Sequence, residues 1–500
     1  MSASWPPDVD LLGVIDEWIR AQRWFPADAG AEMELLDNID VSAQSAPVDR
    51  DPQAPLDPVW ISLVRVGAAT LQIPLVFTDA PPEDGRGVIA RVRDAWLIDG
   101  VLHPAFVRAW IRSAADAGTL GEGLVDAGRL EESLLARASQ ARLVSGEQSN
   151  SSLILPAVPG APGDEGGPGD EGDEGGDPAR AGVILKCLRA VMPGVHPDLE
   201  APLALVREGW THVPAPLAHL EIPVPLSDAA GGRRREPAVS GIAAALVEGA
   251  DDGFSIFVDL ARTGEDPAIP ARELGMLTAQ MHHHLADAFG LGPAPSGAAL
   301  AARIGANLQA AAAEVHELDE DLLRRLDEVV AALPDLTDLP PAIRIHGDYH
   351  LGQTLRGADR RWYVVDFEGE PLRPLEERRR PDLAVRDVAG MLRSFDYAGA
   401  QAARSENPHG RTTAASTAEL PLITAETPAG PSGDPAWSRA AQEAFVAGYT
   451  DGHGFDGDLL ALVRALMIEK AAYEVVYEHR LRPSWLSIPM GALVELARPA

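Results

Sequence analysis

The chain has 500 residues, 46% of them hydrophobic, enough for about three domains of ordinary size with substantial cores. Its 75 acids outnumber 42 Lys and Arg, giving a formal net charge of -33. With no basic stripe to release counterions, this balance argues against nucleic acid as a partner. The single cysteine, Cys187, excludes an intrachain disulfide framework and is expected in the core. With neither an apolar leader nor an uncharged apolar run of about 18 residues, the expectation is a cytoplasmic protein with no membrane segment.

In chain order, Leu11, Val14, Ile15, Trp18 and Ile19 recur at helical spacing, and Gln22-Arg23-Trp24-Phe25 ends the pattern before Pro26. Strands are expected at 60–66, 71–77, 88–92 and 95–98, followed by a helix near 104–117. One helix against a small antiparallel sheet makes an N-terminal module over 1–134, with Trp24 and Phe25 in its core. Residues 141–155 read as strand, polar turn, strand. The turn residues Gly146, Gln148, Ser149 and Asn150 suit phosphate oxygens, and they suit an ordinary hairpin equally. Gly, Pro, Asp and Glu dominate 156–182, a composition that cannot offset its ordering entropy, so a disordered acidic insertion is expected. A strand at 182–185 then delivers Lys186, and Pro197 opens a helix. A strand Lys paired with a helical Glu is the usual clamp on nucleotide α/β-phosphates; Glu200 is the expected partner and Glu208 the reserve, against the alternative of an inconsequential salt bridge. The apolar run 242–249, a candidate hinge strand, closes this second region, 135–249.

The third region, 250–500, is mostly helical. His282, His283 and His284 are consecutive and occupy different helix faces, so they cannot share one ion and are assigned to packing and surface. The central stretch runs from Arg344 to Glu370. Asp348, an amide five residues on (Gln353), and Asp366 at the end of an apolar run have the spacing of a kinase-type site. There one carboxylate orients and deprotonates the attacking hydroxyl, while the amide oxygen and second carboxylate hold Mg²⁺. Short strands at 354–355 and 362–365, with a polar turn between them, form a hairpin that returns Gln353 and Asp366 to one end. Asp387 opens a helix, with Val388, Met391, Leu392 and Phe395 facing the core, and is expected to cap it and brace the catalytic loop. After a surface loop at 402–436, the last long helix carries Lys470, Tyr473, Glu474 and Tyr477 along one flank. That flank suits solvent or, through its two rings, a sugar.

Several blocks together resemble the bacterial maltokinases: QRWF (22–25), GEQSN (146–150), ILK (184–186), PDLE (197–200), HGDYHLGQ (346–353), DFEGEP (366–371), RDVAGMLRSFDYA (386–398) and KAAYEVVYEHRLRP (470–483). The resemblance implies an α+β, bilobal, protein-kinase-like fold of the aminoglycoside phosphotransferase type, with an N-terminal cap subdomain of cystatin-like shape. It also implies ATP as co-substrate with Mg²⁺, maltose or a similar sugar as acceptor, and maltose 1-phosphate as product for α-1,4-glucan synthesis. By the same resemblance Asp348 is the base, Gln353 and Asp366 hold Mg²⁺, Lys186 holds phosphates, and Lys470, Tyr473, Glu474 and Tyr477, helped by His346, hold the sugar. An association with trehalose synthase is the implied protein contact. The alternatives are a kinase for glucosamine or another small sugar or aminoglycoside, and a pseudokinase scaffold for trehalose- or glucan-processing enzymes.

Overall fold

A computed structural model describes residues 9–26, 30–46, 57–144, 150–158, 178–227, 233–336, 339–370, 374–404 and 435–498. The expected phosphate-turn residues Gly146, Gln148 and Ser149, the body of the acidic insertion and most of the loop at 402–436 lie outside these. The chain divides into two compact units, one of Met1–Glu200 with Pro214–Glu248 and one of Ala201–Val213 with Gly249–Ala500. One division thus follows Glu248, beside the expected boundary at 249, and none falls near 134.

In the first unit, α1 (Leu11–Arg20) precedes β1 (Met33–Asp40), β2 (Val59–Val66), β3 (Ala69–Thr78), β4 (Val88–Val92) and β5 (Ala95–Asp99), an antiparallel sheet of order β1-β2-β3-β5-β4. The expected stripe on α1 does its job: Leu11, Ile15 and Ile19 are buried with Trp60, Val64 and Ile73. Helices α2 (Pro104–Asp116) and α3 (Ala127–Arg137) lead to a second sheet. It comprises β6 (Arg142–Leu143), β7 (Asn150–Leu155), β8 (Val183–Leu188), β9 (Pro216–Ser227) and β10 (Arg233–Ala245), with order β6-β7-β8-β10-β9, and α4 (Pro197–Arg207) lies between β8 and β9 in the chain. Helix α2 serves both sheets. Its Phe106 and Trp110 are buried in one cluster with Val59, Ile61 and Leu63 of β2 and Leu153, Leu185 and Cys187 of the second sheet. Each buried aromatic of this kind contributes about 1.5–3 kcal/mol of hydrophobic stabilisation. Gln72 of β3 adds a polar tie, donating to the carbonyls of Leu188 and Ser240 and accepting from Ser240 Oγ at 2.7 Å.

The second unit begins with β11 (Asp251–Asp252) and the helices α5 (Gly253–Thr263), α6 (Ala268–Phe289), α7 (Gly297–Glu314) and α8 (Glu320–Val330). The hairpin β12 (Thr354–Arg356) and β13 (Trp362–Val364) joins β11 in a three-stranded antiparallel sheet. Next come α9 (Leu375–Arg378), α10 (Val385–Arg404), α11 (Pro435–Tyr449), α12 (Gly457–Leu481) and α13 (Ser487–Leu496). The four core positions expected on α10, Val388, Met391, Leu392 and Phe395, are all buried. Among the described residues no helix is long and apolar enough to cross a membrane.

Candidate active site

In the first unit, β8 presents Lys186 to the first turn of α4, where its Nζ lies 3.0 Å from Asp198 Oδ2. Asp198 is thus a carboxylate beside Lys186 in addition to the anticipated candidates Glu200 and Glu208. Asn150 opens β7 inside a buried polar knot. Its Oδ1 accepts from Arg189 N at 3.3 Å, and the Arg189 guanidinium donates to Ser151 Oγ and Asp99 Oδ2, each at 2.8 Å. The same guanidinium stands 4.6 Å over the Trp24 ring, so Trp24 is packed as expected.

In the second unit, the loop bearing Asp348 is held from below by Asp387. This residue sits within the first turn of α10 and is 1% exposed. Asp387 Oδ2 accepts from His346 N at 2.8 Å, and Oδ1 from Gly347 N at 3.0 Å. The expected brace is therefore present. His282 of α6 completes it, donating from Nε2 to Asp387 Oδ2 at 3.1 Å and accepting at Nδ1 from the Tyr449 hydroxyl at 3.0 Å. Burial pushes the Asp387 carboxyl up, but the hydrogen bonds from His282 and the Gly347 N–H outweigh this and hold it below the usual range. Gly390 lets α10 come this close, since a Cβ there would sit 2.5 Å from the Tyr349 carbonyl oxygen.

From the brace the chain runs through a short 3₁₀ turn, Leu351–Gln353, into the hairpin. Val365 N donates to Gln353 O at 3.0 Å, which brings Gln353 and Asp366 to one end as the spacing anticipated. Gln353 Nε2 donates to Asp366 Oδ2 at 3.0 Å. The Gln353 side chain is otherwise an anomaly. The residue is 4% exposed, yet its Oε1 is buried with no hydrogen-bond partner among the described residues. A buried carbonyl oxygen left unsatisfied costs about 1–3 kcal/mol unless something engages it. An orphaned amide oxygen beside a carboxylate is a hard-oxygen donor set, and it fits Mg²⁺. Asp366 itself has φ +66°, a left-handed conformation that Asp tolerates better than most residues and that recurs where function fixes the backbone.

Asp348 meets the last long helix directly, with Lys470 Nζ 3.0 Å from its Oδ1. Burial alone would raise the Asp348 carboxyl, but the charge of Lys470, helped by His350, brings it down to about 2. Burial likewise lowers Lys470, and Asp348, Glu370 and Glu474 overcome it, so the ammonium stays charged. Beyond Lys470, the rings of Tyr473 and Tyr477 stack 6.3 Å apart at 24°, each 39% exposed, with Lys470 Nζ 5.4 Å from the Tyr473 centroid. This half of the flank is displayed as a platform.

Two of the expected sugar ligands are buried and tied to protein groups. His346 is 1% exposed; its Nε2 donates to Val365 O at 3.0 Å and its Nδ1 accepts from Asp348 N at 3.4 Å, so both ring nitrogens serve the loop's own backbone. Glu474 is 9% exposed, and its Oε2 takes two bonds from Arg393 of α10, at 3.1 and 2.8 Å. Sequence reasoning gave no role to Asp198, His282 and Arg393. Each lies in a stretch it singled out, PDLE, the His triplet and RDVAGMLRSFDYA, but pattern alone does not show which side chain turns inward.

These two units share the fold of solved glucosamine kinase structures. One crystal form matches with a TM-score of 0.54 and 24% identity over 96% of this chain and 99% of that one. A complex of glucosamine kinase with glucosamine, ADP and inorganic phosphate matches with a TM-score of 0.52 and 22% identity over 99% and 100% of the two chains. In sequence, the chain is similar to a glucosamine kinase of Streptacidiphilus jiangxiensis, 32% identical over 318 residues, covering 60% of this chain and 65% of that protein. It is also similar to a glucosamine kinase of Mycolicibacterium smegmatis, 34% identical over 184 residues, covering 35% and 40%. The chain thus spans less than two thirds of the length of either relative. No protein-family model matches it.

Proposed function

We propose that this chain is an ATP-dependent sugar kinase that phosphorylates maltose at its anomeric hydroxyl. The observation that carries the reading is the junction at Asp348. A permanently ionised carboxylate is tied at 3.0 Å to Lys470, at the root of an exposed two-tyrosine platform, and stands five residues before the orphaned amide oxygen of Gln353. Asp348 would accept a hydrogen bond from the sugar hydroxyl and take its proton as the new O–P bond forms and the bond from the γ-phosphorus to ADP breaks. A carboxylate held at about 2 is a weak base, which suffices because a loose phosphoryl transition state needs positioning more than proton abstraction. Gln353 Oε1 and the Asp366 carboxylate are the groups that would hold Mg²⁺, which supplies charge neutralisation on the phosphates when bound. Lys186, with Asp198 beside it and Asn150 on the neighbouring strand, is assigned to the nucleotide phosphates, and residues 1–134 to a cystatin-like cap.

The relatives favour a second reading, in which the acceptor is glucosamine. Incubating the protein with ATP and a panel of maltose, glucose, glucosamine and an aminoglycoside, read as ADP release, separates the two. Maltose is expected to lead, and glucosamine leading would replace the first reading with the second.

A further inference from the structure

The cluster behind the tyrosine platform carries a role that neither the motifs nor the relatives assign. Arg393 is 1% exposed and spends its guanidinium on two carboxylates: Nε and Nη2 both go to Glu474 Oε2, and Nη1 donates to Asp396 Oδ2. Gln442 of α11 fixes the far side, donating from Nε2 to Asp396 Oδ1 at 3.0 Å. Glu474 sits one residue beyond Tyr473 on α12, a turn from the Lys470 that holds Asp348. Both N–H groups from Arg393 converge on a single oxygen of Glu474, which leaves its Oε1 unengaged by them. A carboxylate pinned through one oxygen cannot rotate, so the other has a fixed direction.

We infer that Arg393 is a positioning residue for acceptor recognition: it clamps Glu474 Oε2 so that Glu474 Oε1 is held ready to accept a hydrogen bond from an acceptor hydroxyl. This rests on the reading that the α12 flank receives the sugar. Burial raises the Asp396 carboxyl and Arg393 opposes this, so losing Arg393 would free Glu474 from its anchor and leave Asp396 without its cation. Such a loss would fall on acceptor binding rather than on nucleotide binding.

The test compares Arg393→Met, Arg393→Lys and Glu474→Gln in the full chain, with KM for the best acceptor of the panel and for ATP measured separately and folding checked by circular dichroism. Removing a charge-assisted bond at a binding group is expected to raise acceptor KM about 10- to 100-fold in Arg393→Met, with ATP KM within about threefold. Arg393→Lys, which keeps the charge but offers a point donor in place of the fork, is expected to lie between Arg393→Met and the parent. A folded Arg393→Met with parental acceptor KM overturns the inference. Should that variant fail to fold, parental acceptor KM in Arg393→Lys overturns it equally. Glu474→Gln separates the two levels. If it leaves acceptor KM unchanged, the α12 reading itself fails; if it raises KM while both Arg393 variants do not, only the positioning role fails.

Discussion

Lys470→Met isolates the electrostatics of the reaction centre. Asp348 stands at about 2 in place of its ordinary 3.8, a net displacement on the order of 2 kcal/mol. Burial acts in the opposite direction, so the lysine, with His350 as the lesser contributor, supplies more than that figure. The active form of a base is its anion. With the native pKa depressed, that anion persists as pH falls and is lost only on passing about 2, so Asp348 imposes no acid limb on parental turnover between pH 4 and 8. Methionine keeps the bulk of the lysine stem and removes the charge, leaving burial opposed only weakly. The carboxyl is then expected above 3.8, a rise of at least about 2 units, and turnover should fall by half between about pH 4 and 6. The assay is kcat against pH at saturating ATP and acceptor, with folding followed by circular dichroism at each pH. A folded Lys470→Met enzyme whose kcat stays flat down to pH 4 would refute the assignment of Lys470 as the group that sets the basicity of Asp348.

Other expectations come from the metal pair and the brace. Asp366→Asn should weaken ATP binding more than tenfold in Mg²⁺ but not in EDTA, measured by titration calorimetry; equal losses in both media would remove Asp366 from the metal site. Gln353→Leu removes the orphaned Oε1 together with the Nε2 bond to Asp366, two changes that offset, so it should cost less than about 2 kcal/mol of stability while reducing the Mg²⁺ dependence of ATP binding. A large shift in its urea midpoint would mean that Gln353 serves the fold instead. Asp387→Ala leaves the His346 and Gly347 N–H groups and the His282 ring without their acceptor, a loss of about 3–5 kcal/mol that a urea midpoint will register. An unchanged midpoint would show that the catalytic loop is held by something else.

Much of this architecture is readable from local pattern, because the elements that were anticipated carry their own periodicity. The stripe from Leu11 to Ile19, the apolar runs of β2 and β3 and the four apolar positions of α10 each name buried positions. Among the strands that escaped, β9 and β1 did so for equally physical reasons. β9 contains Pro216, Pro223 and Pro225, which argue against a strand, but it lies at the edge of its sheet where missing N–H donors cost little. β1 is also an edge strand, interrupted by a register shift between Leu35 and Asp37 and rich in acids that solvate its open side. The meeting of Gln353 and Asp366 was legible because a hairpin fixes the return of the chain by turn chemistry alone. The direction in which His346 and Glu474 point was not. His346 turns to backbone groups at Val365 and Asp348, and Glu474 to an arginine on another helix, and these contacts depend on how loop and helices pack. The contact of Lys186 with Asp198 is of the same kind: the acids weighed from sequence were Glu200 and Glu208, and the contact depends on how α4 turns against β8.

Phosphorylation of a sugar hydroxyl through Asp348 is the central claim, and maltose-stimulated ADP release by the parent chain and by Asp348→Asn tests it most directly. The account predicts release by the parent well above its rate with ATP alone, and a loss of several orders of magnitude in the variant with ATP affinity nearly intact. Stimulation by no sugar of the panel, or undiminished stimulation in Asp348→Asn, would contradict it.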